Sequence, residues 1–214
     1  MSSARALLCL FALSAAACSK PKPPEPPPPA PPPAVEAPKP EPPPPPPPPK
    51  CEALSEGCRA TADTKLAIGS EGLTLRPPPG WTYAREAART VTVSASGDAV
   101  MAFAHADADT HDAAQVALSA LGASLDVTGV KPASLKARWK RPDRVVDDGQ
   151  LKLWEISKEK QGAAPKRKDK AGTALVVSGS FAGKVVVGLC FVGEGAEGDA
   201  PAIMDALGTL RVAP

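Results

Sequence analysis

The chain has 214 residues, of which 28 are proline, with 4% aromatic residues and a formal charge of +2. A balance so close to neutral excludes a strong general attraction to polyanions, nucleic acid included. Once the proline tract is set aside, the remaining length suits one domain.

The first seventeen residues carry one cation, Arg5, then an apolar run from Ala6 to Leu13, then Ser14, Ala15, Ala16 and Ala17. That order is the anatomy of an export signal. An apolar run of roughly eight to twelve residues is too short for a permanent span, which needs about twenty. Cys18 follows the small residues directly, and its thiol and amine can carry acyl chains once the signal is cut. The segment resembles a bacterial lipoprotein lipobox, with Ala15 where that family usually has Leu. The resemblance implies lipidation at Cys18 and attachment to a lipid bilayer, which several acyl chains make effectively stable. Ser19 resembles the outer-membrane sorting class, implying an outer-membrane lipoprotein facing the periplasm. The alternative is an ordinary secretory signal cut near Ala17, which leaves Cys18 a free thiol.

From Pro21 to Pro49, twenty of twenty-nine residues are proline. Such a tract has no core and few amide donors, so it should be a disordered polyproline II spacer reaching about 90 Å at about 3.1 Å per residue. Its Lys-Pro and Glu-Pro character resembles the periplasmic arm of TonB. A second reading is a ligand for aromatic grooves.

Composition changes at Lys50, and residues 51–214 form the globular part. Cys51, Cys58 and Cys190 remain after the signal and Cys18. Cys51 and Cys58 should close a disulfide where the spacer meets the domain, in keeping with export; free thiols or half of a metal site are the alternatives. Cys190, within "KVVVGLCFVG", should be an inert buried thiol.

The segment "GLTLRPPPGW" reads as a strand entering a turn, and "RTVTVSAS" with "AVMAFAHA" as a hairpin joined at Gly97 and Asp98. Ala114, Ala117, Leu118, Leu121 and Leu125 make one apolar helical stripe, started by Asp109 or Thr110. "SLKARWKR", "DRVVDDGQLKLWEISKE", "TALVVSGSF" and "KVVVGLCFVG" add strands, with Asp148-Gly149 as a hairpin turn. "APAIMDALG" closes the chain as a helix beginning near Asp199 and Pro201 and ending at Gly208. The class expected is α+β: an antiparallel β-sheet with two packed helices. The order from "LRPPPGW" through strand pair, helix, meander and a terminal helix entering "LGTLRV" resembles the PsbP-like sandwich of DcrB-type lipoproteins, over most of residues 66–213. The resemblance implies partner binding and carries over no catalytic set.

The remaining motifs divide into decoys and candidates. "GEGAEG" at 193–198 has dinucleotide-fingerprint spacing, but Glu194 and Glu197 would oppose a pyrophosphate, and too little chain follows for the ribose-binding strand. "SGSFAG" misses nucleophile-elbow spacing. No cofactor is expected. In "HADADTHD", His105, Asp107, Asp109, His111 and Asp112 could hold a divalent metal if the segment turned tightly; the simpler reading is a strand end whose acids favour the next helix. Two basic stretches offer partner contacts: Lys136, Arg138, Trp139, Lys140 and Arg141 in the first, and Lys166, Arg167 and Lys168 in the second, read as a solvated loop. These fit anionic headgroups, a wall polymer or an acidic protein, and not nucleic acid, since the loop has no stacking aromatic.

The organisation expected is therefore a signal over 1–17, a lipidated spacer over 18–50 and a non-catalytic binding domain over 51–214, displayed for an envelope protein or wall polymer. A metal-dependent periplasmic enzyme using the His105 to Asp112 cluster, or a membrane-to-wall spacer, are the rival readings.

Overall fold

The structure is a computed structural model and describes residues 50–69, 72–86, 89–94, 96–131, 135–146 and 150–212. The export signal, Cys18, the proline tract and the Asp148-Gly149 turn lie outside the described residues.

The domain is a mixed α+β structure with antiparallel sheets and short helices. Its strands are β1 (Leu66–Ile68), β2 (Leu73–Leu75), β3 (Thr82–Arg85), β4 (Arg89–Val93), β5 (Ala99–Ala106), β6 (Val127–Thr128), β7 (Arg144–Val146), β8 (Leu151–Ile156), β9 (Lys166–Arg167), β10 (Lys170–Phe181), β11 (Lys184–Gly193) and β12 (Arg211–Val212). The helices are α1 (His111–Ser124), α2 (Lys158–Gln161) and α3 (Ala200–Leu207). The main sheet runs β3-β4-β5-β11-β10-β8-β7, with β9 paired to β10 and β6, while β1, β2 and β12 form a small second sheet.

Alternation along the central strands gives the sheet two buried faces. Met101 and Phe103, Cys190, and Leu151 and Leu153 point to one face, where Ile68, Leu73, Ile203 and Leu207 from the small sheet and α3 cover them. Ala102, Leu189, Trp154 and Ile156 point to the other, against Ala114, Leu118 and Leu121 of α1. The central strands are therefore nearly continuous apolar runs, because neither face meets water.

Local chemistry explains the ends of the elements. The Thr110 hydroxyl accepts the Ala113 amide at 3.3 Å and starts α1. Small side chains also let the layers approach. A Cβ on Gly188 would lie 2.5 Å from the Phe103 ring, so the phenyl group crosses β11 only because glycine is there.

At the start of the domain, Cys51 and Cys58 are joined, with Cα atoms 5.6 Å apart. The Cys51 and Cys58 carbonyls accept the Arg85 and Tyr83 amides at 2.8 and 2.9 Å. The bridged loop thus covers the open edge of β3, which would otherwise present unpaired backbone groups.

Two expectations change. "SLKARWKR" is not a strand: Lys136–Arg138 form a 3-10 turn, because Trp139 is drawn down to stack on Trp154 at 4.3 Å with the rings 7° apart. The 158–170 stretch is not a solvated loop either. It contains α2 and the β9–β10 hairpin, and Arg167 is buried. Strands β1, β3, β6 and β12 are further additions to the expected set, since runs of two to four residues are too short to show a period.

Candidate functional site

The groove begins where α3 stops short of covering the sheet. α3 has Pro201 in its first turn and ends at Gly208, a length of eight residues. Its Ile203 and Met204 meet Leu153 of β8, Leu175 of β10 and Cys190 and Val192 of β11 around a cavity of about 390 Å³. Leu175, Val192 and Met204 remain only partly buried. This is the apolar, concave form that ligand sites take.

Charged side chains from four segments stand around the mouth, Glu155 of β8 among them. Asp143 and Arg144 come from the start of β7, Lys158 and Glu159 from α2, and Glu194 and Glu197 from the turn between β11 and α3. Asp143 is committed inward: it accepts Arg138 Nη2 at 2.6 Å, Lys160 Nζ at 3.2 Å and the Glu155 amide at 2.8 Å. Burial acts to raise its pKa, but these donors outweigh burial and hold it below the usual carboxylate value. The Ser157 hydroxyl lowers Glu159, and the Gly195 amide lowers Glu197. The carboxylates around the mouth outnumber its cations, Arg144 and Lys158, so the mouth favours a cationic or neutral group above an apolar floor.

The floor has little reactivity. Burial pushes the Cys190 thiol up to about 12, which keeps it neutral, and no histidine lines the cavity. A thiol held in that form is a poor nucleophile.

The structure separates the histidine cluster. His105 is on the face of β5 that meets β1, where its Nε2 donates to the Ile68 carbonyl at 2.7 Å. His111 begins α1 on the opposite side of the sheet, 5.7 Å from the Trp139 ring. Asp109 accepts Lys152 Nζ at 2.9 Å, and Asp107 is exposed. Among the described residues, no three His, Cys, Asp or Glu side chains gather as a metal-holding group.

The basic candidates also part company. Lys136, Lys140 and Arg141 are exposed. Arg138 is tied to Asp143, while Trp139 packs inward. Lys166 and Lys168 reach solvent, whereas Arg167 is 8% exposed. Sequence reasoning missed the groove because it depends on how far α3 extends over β8, β10 and β11. The only signal was the short terminal helix.

No protein-family model matches this chain, and no curated protein matches it as a relative. Among the described residues, no helix is long and apolar enough to cross a membrane.

Proposed function

We propose that this chain is a cell-envelope lipoprotein, anchored through acylated Cys18, whose PsbP-like α+β domain binds an envelope protein at the end of its proline spacer. The observation that carries the binding role is the groove under α3: about 390 Å³ of space over Leu153, Leu175 and Val192. Its chemistry suits an apolar side chain of a partner flanked by a basic or neutral residue, since carboxylates predominate at the mouth. The reading is a binding one: the cavity floor is apolar, and burial keeps its Cys190 thiol neutral. The export signal and the disulfide accord with an oxidising compartment.

In-cell photocrosslinking tests the reading, with the photoreactive residue at Met204 in the groove or at exposed Asp63 as control. A protein captured from position 204 alone supports a groove-binding module. Equal capture from both positions, or capture from neither, removes the basis for it. A chain lacking residues 21–49 should lose that capture if reach matters.

A further inference from the structure

A second cavity lies at the β4–β5 turn. It measures about 220 Å³ and is lined by Ser96, Gly97, Asp98, Arg167, Lys168, Lys170 and Phe191, none of which lines the groove under α3. Its base is a buried cation. Arg167 is 8% exposed, its Nε donates to the Leu125 carbonyl at 3.0 Å, and its Nη1 donates to the Gly97 carbonyl. Burial lowers the Arg167 pKa, with the charges of Asp126 and Asp98 opposing that shift; an arginine still remains charged.

A cation taken out of water normally faces a bonded anion. Arg167 has no ion pair among the described residues, and Asp98 is already held by Lys170 Nζ at 2.7 Å. The two carbonyls fix the guanidinium plane, which leaves the Nη2 edge without a hydrogen-bond partner among the described residues and still reached by solvent. Lys168 extends the same site. It and Asp169 both have left-handed φ, 47° and 64°, and they turn the chain between Arg167 and Lys170, which pair across the hairpin. Such a two-residue turn is rigid and matches strand twist.

We propose that this cavity binds a phosphate-type oxyanion. The free guanidinium edge supplies directed donors, while the Lys168 ammonium group supplies charge from the hairpin. Donors arriving from several directions fit a tetrahedral oxyanion better than a planar carboxylate. Lys170 pairs with Asp98, the one carboxylate among the described residues that lines the cavity, and so offsets its repulsion of the ligand. The site does not depend on the groove or on lipidation.

Calorimetric titration of the full chain with inorganic phosphate at low salt tests the site. Saturable one-to-one binding is expected, and Lys168→Ala should weaken it on the order of tenfold, the loss of one charge-assisted hydrogen bond. Arg167→Lys should weaken it further. Because Arg167 also holds two carbonyls, the exposed Lys168 variant is the decisive one, with its fold checked by circular dichroism. A second arm uses phosphatidylcholine vesicles with and without phosphatidylglycerol. Vesicle binding that free phosphate displaces makes a lipid headgroup the source, and phosphate binding without vesicle binding makes the free ion the ligand. No saturable phosphate binding, or binding unchanged in Lys168→Ala, overturns the proposal; so does vesicle binding that phosphate does not displace.

Discussion

Gly188 and Phe103 face each other across β5 and β11, and the phenyl ring occupies the space a side chain would take. Gly188→Ala should therefore overpack the core and cost about 1–3 kcal/mol, read as a lower urea midpoint at unchanged slope. Asp143 carries a pH dependence. Its folded pKa lies below the ordinary aspartate value despite the opposing effect of burial, so the unfolded chain binds its proton first as pH falls. Its contribution is present above about pH 4 and is lost as pH falls through the lower folded value. Asp143→Asn should lower stability at pH 7 and flatten the decline below pH 4, measured as urea midpoints across that range. Single residues were legible in sequence where their role was local. A helix cap at Asp109 or Thr110 was readable because capping needs only the next turn, with Thr110 the residue that fills it, and Cys190 reads as buried because both faces of its strand are apolar. Arg167 was not legible, because its burial depends on carbonyls 42 and 70 residues away.

The bridged loop at 51–58 shows how one element protects another. It closes seven residues of separation and places its carbonyls on the β3 edge. Replacing both cysteines with serine should cost about 2.5 kcal/mol by loop-closure entropy, measured by reversible urea unfolding with and without reductant. Further loss would come from the freed β3 edge and would appear as self-association at high protein concentration. The opposite edge is β7, where Val145 is exposed. Long elements with one strong signal were readable: α1 by its stripe, β10 and β11 by sustained apolar runs. The 136–141 stretch was misread because its alternation of apolar and basic residues mimics a strand. The Trp139–Trp154 stack and the bond from Trp154 Nε1 to the Arg138 carbonyl at 3.1 Å decide its path instead.

For the whole molecule, anchoring and recognition are proposed to occupy separate parts of the chain, so they should be separable by mutation. Cys18→Ser should abolish incorporation of labelled palmitate and release the protein from the membrane fraction, while the domain's unfolding midpoint stays unchanged. Retained label would place the acyl group elsewhere. The sequence by itself determined the properties that depend on neighbouring residues: the capped start of α1 and the apolar central strands. These follow from short-range sterics and solvation, so a window of residues is enough to read them. Only the tertiary structure decided which residues share a site. It put His105 and His111 on opposite faces, left Leu175 open beneath a short helix that carries Met204, and turned Arg167 inward to carbonyls from two distant loops. Those outcomes depend on sheet order and on how far each layer extends, which are fixed by the packing of elements far apart in the chain.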